Sequence, residues 1–186
     1  MIACEYNNKN IIKYLIDSGI DINDKNNDGS TALHIACEKS NIEIIKYLVH
    51  HGANIDYINN NGFNPLAIAC NNENIKNNEN VENNENVENI ENVENIENIE
   101  IVEYLVDCGS NINSYCNYNN ETSLMKACQN NQNSLVKYLL DHHANPDKQN
   151  KFGNTALMFA CDNNNFEVVK YLVERRCNLN LYNKLG

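Results

Sequence analysis

The 186-residue sequence predicts an all-α repeat solenoid, and three observations carry that prediction. Short motifs return in order: Thr31-Ala32-Leu33 recurs as Asn64-Pro65-Leu66, Thr122-Ser123-Leu124 and Thr155-Ala156-Leu157. Ile45-Lys46-Tyr47-Leu48-Val49 recurs as Val102-Glu103-Tyr104-Leu105-Val106, Val136-Lys137-Tyr138-Leu139-Leu140 and Val169-Lys170-Tyr171-Leu172-Val173. The interval is 33 residues wherever the pattern is uninterrupted, the length of a supersecondary unit that buries its apolar face only against copies of itself. Within each unit the apolar residues fall three and four apart, the spacing of helices.

Residues 1–20 read as the second half of a unit, because Cys4 matches Cys37, Tyr14 matches Tyr47 and Gly19 matches Gly52. In the first full unit, 21–53, the stretch from Asp21 to Gly29 holds turn formers and reads as a hairpin or loop. Leu33, Ile35, Ala36 and Cys37 form a short first helix, with Thr31 placed to accept an orphan N–H at its start. Ile42, Ile44, Ile45, Leu48 and Val49 form a second, antiparallel helix that Gly52 stops. Gly29, with its matches Gly62 and Gly153, predicts a backbone position of positive φ. Asn120 stands there in a later unit, and Asn is the next most tolerant residue.

The second unit, 54–110, carries a 24-residue insert over 75–98, built of Glu-Asn-Val, Glu-Asn-Ile and Glu-Asn-Asn triplets. A triplet period drifts around a helix and alternates across a strand, so it keeps no apolar face. A low-complexity loop is expected, with a backward extension of the second helix through Val93 and Ile96 as the rival. Unit 111–144 has one extra residue between Ser114 and Glu121, and unit 145–177 is regular. Residues 178–186 open a further unit and stop at the place of Gly29. The whole reads as one repeat domain, 1–186, that begins and ends mid-repeat, as a piece of a longer array would.

The unit resembles the ankyrin repeat in Asp28-Gly29, Thr31, Leu33-His34, Ala36, Glu43-Ile44-Ile45-Lys46, Leu48 and Gly52-Ala53. The resemblance implies a hairpin or loop followed by two antiparallel helices, and a structural hydrogen bond from His34. It also implies a non-enzymatic scaffold for protein–protein interaction, with the partner lying along hairpin tips and inner helices. In the first full unit the matching exposed positions are Lys25, Asn27, Asp28, Ser30, Glu38 and Lys39. The next unit supplies Ile58, Asn60, Asn61, Phe63, Asn71 and Asn72. The third supplies Tyr118, Asn119, Glu121, Gln129 and Asn130, and the fourth Lys151, Phe152, Asn154, Asp162 and Asn163. Phe63, Tyr118 and Phe152 stand out as aromatics near three consecutive tips, where binding hot spots would be rich in them. The alternative function is a targeting or adaptor module, for example of a ubiquitin ligase, whose effector domain lies outside this chain.

Charge and composition narrow the classes of partner. The net charge is −11, of which the insert carries seven Glu and one Lys, leaving −5 for the rest. An acidic chain without a basic footprint is not expected to bind nucleic acid or an anionic membrane. No run approaches the length of about 18 apolar residues that spans a bilayer, and the first residues lack the features of a signal peptide. A cytosolic or nuclear location is therefore expected.

Chemistry-bearing residues follow the repeat instead of clustering. Cys4, Cys37, Cys70, Cys128 and Cys161 share one register position after an Ala, about 10 Å apart by helix stacking and so beyond disulfide reach of about 7 Å. They are expected to be reduced, buried packing residues, whereas Cys108, Cys116 and Cys177 fall at helix ends or in a hairpin. His50-His51 and His142-His143 lie two units apart, too far to converge on one metal ion. No phosphate-cradling loop or nucleophile elbow appears. No catalytic, cofactor-binding or metal residue and no small-molecule substrate are expected. The tyrosines at 14, 47, 104, 138 and 171 read as a half-buried packing ladder on the second helices.

Overall fold

The computed structural model describes residues 1–71 and 96–185. Among these it holds ten α-helices, and its extended pairing is a lone bridge between Tyr115 and Thr122. The helices come in pairs: α1 (Ile2–Glu5) with α2 (Lys9–Asp17), α3 (Ala32–Glu38) with α4 (Ile42–His50), and α5 (Pro65–Asn71) with α6 (Ile96–Asp107). Then follow α7 (Ser123–Gln129) with α8 (Asn133–Asp141), and α9 (Ala156–Asp162) with α10 (Phe166–Glu174). No helix among the described residues is long and apolar enough to cross a membrane.

Capping chemistry sets where each helix starts. Thr122 Oγ1 accepts from the Met125 N–H at 3.3 Å, Thr155 Oγ1 from Met158 at 3.4 Å, and Asn64 Oδ1 from Ala67 at 2.8 Å. Each bond satisfies an N–H that a helix leaves orphaned. In the first full unit the Thr31 N–H donates to His34 Nδ1 at 3.1 Å. Because Nδ1 accepts, Nε2 carries the proton and donates across to the Phe63 carbonyl at 3.2 Å. The structural hydrogen bond expected of His34 thus joins two units. The second helices use asparagines that spacing alone did not single out: Asn8, Asn41 and Asn165 accept from Ile11, Ile44 and Val168 at 3.1, 3.0 and 3.2 Å.

The first helices stack in one row, α1 on α3 on α5 on α7 on α9, with the second helices packed behind them. One core runs through the row from Cys4 to Cys177. Leu33, Leu66 and Leu124, the leucines of the recurring turn, are fully buried, and each contributes roughly 1.5–3 kcal/mol of apolar burial. On the outer row, Lys13, Lys46 and Lys137 lie over the rings of Tyr47, Tyr104 and Tyr171 at 5.6, 5.7 and 6.0 Å. Lys46 and Lys137 also reach Glu100 and Glu167 of the next pair at 3.0 and 2.6 Å. The tyrosines are half-buried as expected, except Tyr14, which is exposed.

Three expectations need correction. The insert, placed at 75–98, lies outside the described residues up to 95, and residues 96–98 belong to α6. Asn7, Ser40, Asn131 and Asn164 precede the other second helices at positive φ of 52–56°. Position 97 is Glu, a good helix former with no taste for that conformation, and the helix runs through it.

The second correction concerns Cys161, which is exposed although Cys4, Cys37, Cys70 and Cys128 are buried. Those four face the first helix of the following unit, whereas among the described residues no first helix packs on the far side of α9. The third concerns Cys116 and Cys177, which are buried. Cys177 takes the place of the buried Ala53 and Ala144. The extra residue of the third hairpin turns Cys116 inward, where its N–H donates to the Glu121 carbonyl at 2.7 Å.

Candidate partner-binding surface

One asparagine organises each hairpin. Asn26 Oδ1 accepts from the N–H groups of Asp28 and Ser30 at 3.0 and 2.9 Å, and Asn59 Oδ1 from Asn61 and Phe63, both at 3.0 Å. Asn117 binds Asn119 and Glu121 at 2.9 and 3.2 Å, and Asn150 binds Phe152 and Asn154 at 3.0 and 2.9 Å. A side chain that bonds its own backbone two residues on builds such a turn without a strand partner. The turn then closes three residues later, on Gly29, Gly62, Asn120 and Gly153, at φ of 72°, 83°, 57° and 83°. Positive φ at Gly29 and Asn120 is what the sequence predicted.

The turns are tied into a row by two kinds of rung. In the backbone rung, the Asn60 N–H donates to the Asp28 carbonyl at 2.9 Å, Lys151 to Asn119 at 2.8 Å and Lys184 to Phe152 at 2.9 Å. In the side-chain rung, Asn59 Nδ2 donates to Ser30 Oγ at 3.1 Å and Asn183 Nδ2 to Asn154 Oδ1 at 2.8 Å. A third set of bonds anchors the hairpin bases, where Asn23 and Asn113 accept from the N–H groups of Asn54 and Asn145 at 2.8 and 2.7 Å. Asp147 does the same for Asn178 at 2.7 Å.

These turns place the residues expected to meet a partner. Lys25, Asn27, Asp28, Ile58, Asn60, Asn61, Tyr118, Lys151 and Phe152 are exposed on the hairpins, and Asn119 and Asn154 are half-buried. At the ends of the first helices Glu38, Lys39, Gln129, Asp162 and Asn163 are exposed, while Asn71 and Asn130 are half-buried. Asn72 lies outside the described residues.

Ser30 and Glu121, expected to be exposed, are buried. Both follow the positive-φ residue, where the chain turns inward toward the first helix. Phe63 holds the same place and is half-buried. The organising asparagines therefore separate the three aromatics: Tyr118 comes one residue after its Asn, Phe152 two, and Phe63 four. They do not form a stripe at one register.

Tyr57 and Tyr115 were not singled out in the sequence. Lys25 lies 3.9 Å above the ring of Tyr57 and Lys148 lies 4.3 Å above that of Tyr115. The extra residue in the third hairpin was the available signal, since it pushes Tyr115 to 40% exposure while Cys116 turns in. Burial raises the Cys116 thiol to about 12, and Glu121 beside it adds to the shift. Burial also holds the His34 imidazole below its ordinary range. Among the described residues no group of three or more His, Cys, Asp or Glu is placed to hold a metal ion.

A family model described as ankyrin repeats (3 copies) matches residues 1–82 and again residues 91–183. No curated protein matches the chain.

Proposed function

The chain belongs to the ankyrin repeat family, and we propose that it is a non-enzymatic scaffold that binds a partner protein along its hairpin row and the adjoining first-helix ends. The repeats of this family are in general protein–protein interaction modules. The proposed units are 1–20, 21–53, 54–110, 111–144, 145–177 and the opening of another at 178–186.

The observation that carries the reading is the exposure of Ile58, Tyr118 and Phe152, at 56, 69 and 48%, on neighbouring turns. Side chains on a turn have no core of their own to enter, and aromatic residues dominate binding hot spots. The turns that carry them are held by at least two hydrogen bonds to one asparagine each, so little ordering entropy is lost on binding.

The test replaces Ile58, Tyr118 and Phe152 together by Ser in the full chain. Circular dichroism and melting temperature should stay close to those of the parent. Proteins captured from native lysate by the parent should be lost, at the hot-spot scale of about 2 kcal/mol or more. Unchanged capture by a folded variant would remove the hairpin row as the binding surface.

A further inference from the structure

We propose that the turns of Asn117, Asn150 and Asn183 bind an extended acidic segment of the partner, with an apolar side chain on Tyr118 and a carboxylate on each of Lys151 and Lys184. The proposal rests on the reading of the hairpin row as the binding surface, and names the stretch of that row and the chemistry of what it binds.

Tyr118, Lys151 and Lys184 each directly follow the asparagine that organises their turn. The backbone rungs fix Lys151 and Lys184 in one register, since the first donates to Asn119 at 2.8 Å and the second to Phe152 at 2.9 Å. All three side chains are exposed, Tyr118 at 69%, and Phe152 beside Lys151 is exposed at 48%. In the first two units the same position holds Asn27 and Asn60, and Asp28 follows the former. The row therefore changes along its length, from neutral and acidic tips to aromatic and basic ones.

The two lysines carry charge that the chain does not oppose. On the second helices Lys9, Lys46, Lys137 and Lys170 each pair with a Glu. Among the described residues neither Lys151 nor Lys184 has an ion-pair partner. The carboxylates of the same hairpins are held elsewhere. Glu121 is buried and accepts from Asn117 at 2.6 Å, and Asp147 accepts from the Asn178 N–H at 2.7 Å. Lys151 lies 5.1 Å over the ring of Phe152, a contact that places the ammonium beside an apolar surface without neutralising it.

Spacing then selects the ligand. Stacked units step by about 10 Å, and an extended chain advances about 3.3 Å per residue. Every third residue of a segment laid along the row therefore meets a new turn. The complement of Tyr118, Lys151 and Lys184 is an apolar residue followed by two carboxylates, each three residues on. The ring supplies the anchor, and the ammonium groups steer and orient the segment, since Asp28 repels its carboxylates from the other end of the row. In a chain of net charge −11, two lysines in register fall short of the basic footprint that nucleic acid requires.

The test uses the full chain and fluorescein-labelled peptides containing Leu-x-x-Glu-x-x-Glu or the reverse order Glu-x-x-Glu-x-x-Leu, with Ser or Gly at x. Fluorescence anisotropy should show one of them binding, more weakly as salt is raised. Lys151→Glu with Lys184→Glu should weaken that binding about tenfold, the worth of two exposed ion pairs. The same variant should bind the version with Lys in place of both Glu, which the parent refuses. Circular dichroism should be unchanged, because both side chains are exposed. Tyr118→Ser should weaken binding of the Leu peptide and leave a version with Ser at that place unaffected. Binding of neither peptide, or binding indifferent to the charge reversal, would overturn the proposal. So would tighter binding of a single-stranded oligothymidine, which would put nucleic acid in the place of the acidic segment. The wider hairpin-row reading is decided separately, by whether the Ile58, Tyr118 and Phe152 triple variant loses proteins captured from lysate.

Discussion

Glu121 accepts a 2.6 Å hydrogen bond from Asn117 inside its own hairpin, where other units send the equivalent bond across to their neighbour. The cause lies one unit earlier, in Phe63, whose side chain has no acceptor to offer. A cost follows one unit later: Asn150 Nδ2, buried and in the same register, has no partner. One substitution in a ladder is thus absorbed by the next two rungs.

That chain of compensation is measurable. Glu121→Ala strands Asn117 Nδ2 and should destabilise the chain by about 1–3 kcal/mol, the cost of an unsatisfied buried group. In a Phe63→Ser background the loss should be smaller, since the new hydroxyl can take the Asn117 bond. Chemical denaturation of the four proteins of this double-mutant cycle gives the coupling. Equal losses in both backgrounds would show that Phe63 does not set the Glu121 rotamer.

His34 should make stability depend on pH. Its imidazole is buried, with Nδ1 accepting from Thr31 and Nε2 donating to Phe63, and burial lowers its pKa from 6.5. The unfolded chain therefore takes up the proton first. The His34 contribution is fully present above about pH 6.5 and falls away as the pH drops. His34→Gln should lower stability at pH 7 and flatten the profile below about pH 6.5. An unchanged profile would mean that the ring titrates freely.

Thiol reactivity should follow burial, not the repeat register. Cys108 and Cys161 are exposed, and Cys37, Cys70, Cys116 and Cys128 are buried. Burial pushes Cys70, Cys116 and Cys128 up from 9.0 to about 12 and Cys37 higher still. A thiol-specific reagent in native buffer should label Cys108 and Cys161 at once and the other four only on unfolding. Because their folded pKa values are raised, the stability these thiols contribute is complete below about pH 9 and lost as the pH climbs toward 12. Rapid labelling of Cys116 would contradict its inward turn.

Two glycines at positive φ should differ in cost when changed to Ala. A Cβ on Gly29 would stand 2.6 Å from Asn60 Oδ1 and 2.9 Å from Asn60 N, whereas one on Gly52 would meet nothing within 4 Å. Gly52→Ala should cost on the order of 1 kcal/mol in backbone strain. Gly29→Ala should cost clearly more, because Asn60 N is backbone held by its bond to Asp28 and cannot move aside alone. Equal melting temperatures for the two variants would mean that the hairpin row yields at no cost.

The repeated unit was legible in the sequence because its causes are local. Leu33 and its matches, Thr122 and Thr155 as caps, Gly29 and Asn120 at positive φ, and the spacing of Ile42, Ile44, Ile45 and Leu48 each depend on a few neighbouring residues. Any chain with that pattern meets the same demands of helix periodicity and turn geometry. What only the tertiary structure decided depends on which unit stands next to which. Cys161 shares the register of buried cysteines yet is exposed because, among the described residues, no helix packs beyond α9. Cys116 and Glu121 turn inward because one added residue changes the path of a hairpin, and Asn117 bonds within its own unit because Phe63 precedes it. A solenoid buries each unit against its neighbours, so the local pattern sets the shape of a unit, and the pairing of units sets which of its side chains remain at the surface to meet a partner.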